Sequence, residues 1–132
     1  MKKIRMLIGI LGLDQHEVGA LVVAKMMNDA GMEVIYTGRF NTPETIVRSA
    51  LEEDVDLIGL SCHSWEYIHY MPELIDLLKK EGADIPIVAG GSVITPSDAK
   101  SLAEMGVSAA FGPGSSAQEI IEAITVLGSG KR

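Results

Sequence analysis

The chain holds one cysteine, Cys62, in 132 residues. An internal disulfide is therefore impossible, and the composition suits a reducing compartment, the cytoplasm. Aromatic residues make up only 5%, so the core has to be aliphatic. Cations are short: 11 Lys and Arg stand against 18 Asp and Glu, a formal net charge of −7. A protein that grips nucleic-acid phosphates needs a basic surface, and so does one drawn to an anionic membrane; this balance argues against both. No apolar run reaches the roughly 18 residues of a membrane span. The apolar stretch after Lys2 and Lys3 stops by Asp14 with no small-residue cleavage site, so it reads as a first strand and not a signal peptide. Linkers and low-complexity tracts are missing too. Apolar residues are plentiful at 47%, which excludes intrinsic disorder. The expectation is one domain over 1–132, with 128–132 a loose tail.

Short apolar runs alternate with amphipathic segments. Residues 4–11, 33–37, 55–61, 85–89 and 108–111 read as strands. Residues 18–30 carry apolar side chains at 18, 21, 22, 26, 27 and 30, a helical stripe ended by Gly31. Thr42-Pro43 and Thr95-Pro96 each open a helix, with Thr as N-cap and Pro in the first turn. A third helix runs from about residue 67 or 72 to 80, and Ser115 or Ser116 caps a last one. Repeated β-α units predict an α/β fold, a five-stranded parallel sheet with helices on both faces. The expected order is the flavodoxin-like (Rossmann-like) 2-1-3-4-5. Ligands then bind at the carboxyl ends of the strands, near the switch point between strands 1 and 3. The loops to inspect are 12–19, 61–66, 90–95 and 112–116.

Loop 12–19 places Asp14 and His16 two apart. Imidazole is the commonest protein metal ligand, and a carboxylate on its far nitrogen fixes the tautomer. The same spacing also suits a helix start with Asp14 as cap and His16 solvated. Loop 61–66 offers Ser61, Cys62, His63, Trp65 and Glu66. Cys62 reads better as a small buried hydrophobe than as a nucleophile, and His69 as structural or exposed. Gly90-Gly91 and Gly112-Pro113-Gly114-Ser115 let backbone approach a ligand or simply pack tightly. A phospho-receiver needs an acceptor Asp where Ser61 stands, and a flavodoxin needs Ser or Thr in loop 12–19, which has neither.

Asp14-x-His16-x-x-Gly19, Ser61 and Gly90-Gly91 together resemble the signature of cobalamin-binding domains. From about residue 4 to 124 the chain is similar to the small subunit or carboxyl-terminal domain of methylmalonyl-CoA mutase and related acyl-CoA mutases. The segments AGMEVIYTG, EEDVDLIGLS and the MGV–FGPG stretch carry the narrower likeness. The resemblance implies adenosylcobalamin as cofactor. His16 would be the lower cobalt ligand in place of the cofactor's own base, and Asp14 would hydrogen-bond its imidazole. Gly19, Ser61, Gly90, Gly91, Phe111 and Ser115 match positions that line the slot for the nucleotide tail. Gln15, Glu17, Val18, His63 and Gly112 complete the cofactor-binding set in the same loops. The resemblance further implies a mutase, an isomerase that rearranges a carbon skeleton. A larger barrel-type subunit would hold the acyl-CoA substrate, and this chain alone would be inactive. Two alternatives stand beside it: the small subunit of a glutamate-mutase-type enzyme, and a non-catalytic corrinoid carrier. The chain departs from the acyl-CoA mutase pattern at Ile10, where a Lys is usual, and at His63 and Trp65.

Overall fold

The computed structural model describes residues 3–12 and 16–129. Strands β1 (Arg5–Leu11), β2 (Glu33–Asn41), β3 (Leu57–Ser61), β4 (Ile87–Gly90) and β5 (Ala109–Phe111) alternate with helices α1 (Val18–Asp29), α2 (Pro43–Glu52), α3 (Glu66–Lys80), α4 (Pro96–Met105) and α5 (Ala117–Ser129). All pairings are parallel, and the order is β2-β1-β3-β4-β5. This is the expected flavodoxin-like sheet.

Local chemistry sets the helix starts. The Thr42 hydroxyl accepts from the Thr45 N–H, and the Thr95 hydroxyl from the Asp98 N–H, each at 3.1 Å. Each is half of a reciprocal capping box with Pro in the first turn. Ser116, not Ser115, caps α5: its hydroxyl accepts from the Glu119 N–H at 3.1 Å. Helices α2, α3 and α4 cover one face of the sheet, with Ile46, Met71, Leu74 and Leu102 in its core. Helices α1 and α5 cover the other, through Ala20, Ala24, Met27 and Ile124.

Three segments differ from the sequence expectation, and a fourth, α3, decides between its two alternatives. Helix α1 turns Ala20, Ala24 and Met27 to the sheet, while Val18, Leu21 and Val22 of the expected stripe stay exposed. Two alanines bring the helix backbone close to the sheet, a contact that ranking side chains by apolar size overlooks. Helix α3 starts at Glu66 and runs through Pro72. Burial of Tyr67, Met71, Leu74 and Leu78, at about 1.5–3 kcal/mol per fully buried large side chain, outweighs an internal proline cost of about 3 kcal/mol. Strand β2 continues past Thr37 to Asn41. Helix α5 carries Gly128 and Ser129 within it, where a loose tail was expected. Gly128 sits so close to the residue before β1 that a Cβ there would fall 2.6 Å from the Ile4 side chain. Residues 130–132 lie outside the described residues.

Candidate functional site

The loops after β1, β3, β4 and β5 gather at the carboxyl edge of the sheet, as the topology requires. Below them a cavity of about 460 Å³ opens between α1 and α5. Its floor is Met6 and Ile8 of β1, Gly59 and Leu60 of β3, and Val88 of β4. Its walls are Val22, Val23 and Met26 from α1 and Ile120 and Ile124 from α5. Polar groups sit at its mouth: Ser61, His63, Ser92 and Ser115. An apolar slot with a few polar groups at one end is the usual form of a small-molecule site.

The glycines at the mouth have distinct reasons. Gly91 lies over the backbone of Cys62, where an added Cβ would come 1.6 Å from the Cys62 carbonyl oxygen. At Gly112 it would come 2.4 Å from the Ile94 carbonyl oxygen. These two positions lock the β3, β4 and β5 loops to one another, with Cys62 N–H donating to Gly90 O and Gly91 N–H to Phe111 O. Gly19, at the start of α1, faces His63 instead; a Cβ would lie 2.6 Å from its Nε2.

His63 is oriented by Ser92. The Ser92 backbone N–H donates to Nδ1 at 3.2 Å, and the Ser92 hydroxyl oxygen is 2.8 Å from the same nitrogen. A backbone N–H can only donate, so Nδ1 accepts and a neutral ring carries its proton on Nε2. The His16 ring is exposed, and its centroid is 6.0 Å from that of His63, tilted by 45°. Asp14 and Gln15 lie outside the described residues. Glu17 takes its partners from β2: Tyr36 Oη donates to its Oε2 at 2.5 Å, and Arg39 Nε lies 3.5 Å from its Oε1. Burial and the Glu17 carboxylate together push the Tyr36 phenol up to about 12, against a smaller opposing pull from Arg39.

The structure thus brings Gly19, Ser61, His63, Gly90, Gly91, Phe111, Gly112 and Ser115 to one cavity. His16 stands beside it through the ring of His63. Val18 points to solvent at 77% exposure, and Glu17 faces β2. Ser115 donates its hydroxyl to Gly112 O at 3.0 Å, which tightens the turn before α5. Cys62 is buried and His69 exposed, as their surroundings in sequence suggest. Ile10 is fully buried against α1, and Trp65 is 60% exposed at the start of α3. Ser92 and Gly59 also line the cavity, beyond the expected site residues. A glycine in mid-strand is a signal of close approach and pointed to Gly59; Ser92 falls in the expected loop 90–95, but its role comes from meeting His63, which its own neighbours in sequence do not show.

A B12 binding domain model matches residues 4–122. The pivalyl-CoA mutase small subunit of Xanthobacter autotrophicus is 38% identical over 131 residues, covering 99% of this chain and 88% of that protein. The 2-hydroxyisobutanoyl-CoA mutase small subunit of Aquincola tertiaricarbonis is 40% identical over 124 residues, covering 94% and 91%. The methylmalonyl-CoA mutase of Escherichia coli is 45% identical over 111 residues, which span 83% of this chain and 15% of that much longer protein. In fold, a crystal structure of a cobalamin-binding protein from Desulfitobacterium hafniense superposes with a TM-score of 0.82 at 21% identity, over 96% of this chain and 60% of that one. The chain belongs to the B12-binding domain family, in the group that contains the small subunits of acyl-CoA mutases.

Proposed function

We propose that this chain is the cofactor-binding small subunit of an adenosylcobalamin-dependent acyl-CoA mutase, with His16 as the lower cobalt ligand. The observation that carries the reading is an exposed imidazole at the switch point, next to an apolar, glycine-lined slot. The donor set fits the group. A neutral imidazole suits cobalt. A long tail lying against backbone needs glycines at Gly19, Gly59 and Gly90, and its polar atoms need partners such as Ser61, His63, Ser92 and Ser115. Phe111 and the side chains of α1 and α5 offer the apolar contact that an aromatic base requires.

In this reading each residue has a physical task. His16 would hold the metal, and Asp14 would hydrogen-bond its imidazole and so fix the tautomer. His63, held by Ser92, would meet the tail at the mouth of the slot, and Gly19 leaves room for that ring. Gly91 and Gly112 keep the three loops at one height. The cofactor, when bound, supplies homolysis of its cobalt–carbon bond and so the radical that starts the rearrangement. The protein residues supply ligation, position and exclusion of water. The 132 residues act as one cobalamin-binding domain in the cytoplasm. A larger, barrel-type subunit holds the acyl-CoA.

Ile10, buried where a Lys is usual in acyl-CoA mutases, is the observation that favours a glutamate-mutase-type reading. Identity of 38–45% to three acyl-CoA mutases supports the acyl-CoA reading over it. The test is reconstitution of the chain with adenosylcobalamin and the mutase large subunit of the same genome, followed by a scan of acyl-CoA esters. Rearranged acyl-CoA is expected only when both subunits are present. Turnover of an amino acid and of no acyl-CoA ester would move the chain to the alternative.

A further inference from the structure

The loop that carries His16 is held at both stems by one irregular stretch of β2. The β1–β2 ladder pairs Ile8 with Tyr36 and then Gly9 with Gly38, so Thr37 is an extra residue in β2. A one-residue insertion of this kind is a β-bulge, and such bulges re-aim side chains. Tyr36 and Arg39 are three positions apart, and in a regular strand they would point to opposite faces. The bulge sets both toward Glu17, the residue after His16. The stretch is well fixed. Thr37 donates its hydroxyl to Ile8 O, and the Asn41 amide donates to Gly38 O at 2.8 Å and to Ile10 O at 3.2 Å. Gly38 and Phe40 both take left-handed backbone angles, φ of 77° and 63°. Phe40 does so as a bulky residue, which marks a locally enforced conformation. At the other stem, the Gly12 N–H donates to Asn41 O at 2.8 Å. Residues 36–41 therefore anchor Gly12 on one side of the loop and Glu17 on the other.

We infer that Tyr36, Arg39 and Glu17 form a clamp that positions His16, and so tunes cobalamin affinity without touching the cofactor. The inference rests on His16 being the cobalt ligand. Tyr36 carries most of the clamp, because its hydrogen bond to a carboxylate is short and partly buried, whereas the Arg39 pair is solvent-exposed.

The test is a double-mutant cycle read as the dissociation constant for hydroxocobalamin and as the absorbance signature of imidazole ligation. Tyr36→Phe keeps the ring and removes only the hydroxyl. It is expected to weaken binding about tenfold in the natural chain and to lower the imidazole-ligated fraction. In a His16→Ala background the same change is expected to leave affinity as it is, because the clamp acts through His16. Glu17→Gln, which still accepts from Tyr36, is expected to lie between Glu17→Ala and the natural chain. If Tyr36→Phe weakens binding equally in both backgrounds, or in neither while His16→Ala does alter the spectrum, the clamp is wrong and His16 ligation stands. If His16→Ala itself leaves affinity and spectrum unchanged, ligation and clamp fall together.

Discussion

Gly91, just after β4, and Gly19, in the first turn of α1, line the same slot, yet a methyl group added to each meets a different obstacle. At Gly91 it meets backbone, 1.6 Å from the Cys62 carbonyl oxygen. Neither chain can give way without moving a strand end, so Gly91→Ala is expected to cost about 2–4 kcal/mol in urea unfolding. At Gly19 it meets the far end of the His63 side chain, 2.6 Å from Nε2. That ring can rotate away. Gly19→Ala is therefore expected to cost less than about 1 kcal/mol of stability while weakening cobalamin binding, since His63 leaves Ser92. Equal stability losses for the two variants would contradict this assignment. The addresses of both glycines were legible in the sequence, because both fall in loops at the carboxyl edge. Their partners were not. Which residue faces a glycine depends on how distant segments pack, as the pairing of Gly19 with His63 shows.

At the scale of the element, α1 is the helix built differently from its neighbours. Helices α2 and α4 begin on Thr capping boxes. Helix α1 begins on Glu17, which has helical backbone angles and makes no side-chain cap, and its first residue, Val18, is 77% exposed. Its first turn depends on packing for order, and the slot beside it needs filling. Amide exchange over residues 16–24 is expected to be faster than over the first turn of α2 in the cofactor-free chain, and to slow when cobalamin is added. Equal protection with and without cobalamin would remove this coupling. The existence of every helix was legible from apolar spacing and from the two Thr-Pro starts. The buried face of α1 was not, because Ala20 and Ala24 are weak signals beside Val18, Leu21 and Val22. The bulge in β2 was also hidden, since Gly38 reads as the end of a strand and only the β1–β2 register shows that pairing resumes.

For the molecule as a whole, the alternation of β and α segments was enough to give sheet order and the edge where ligands bind. The slot itself was not legible, because it lies between α1 and α5, and how two helices so far apart in sequence pack is not written in either. Two phenols report on the intact fold. Tyr36, beside Glu17, and Tyr67, buried with no hydrogen-bond partner for its hydroxyl among the described residues, are both pushed from 10.0 to about 12, with burial the largest cause. The folded chain thus resists ionising them, and the unfolded chain does not. Their contribution to stability is fully present below pH 10 and is lost as pH rises toward 12. Urea midpoints are expected to hold up to pH 10 and fall above it, less steeply in Tyr36→Phe. A fall in that variant as steep as in the natural chain would argue that Tyr36 is not part of the effect. As proposed, the 132 residues are a cofactor seat whose His16 imidazole would bind cobalt. The most direct measurement is the absorbance spectrum of hydroxocobalamin on the natural chain and on His16→Ala. Imidazole-ligated cobalamin on the first, and loss of that signature with weakened binding on the second, is the predicted result; identical spectra and affinities for the two would contradict it.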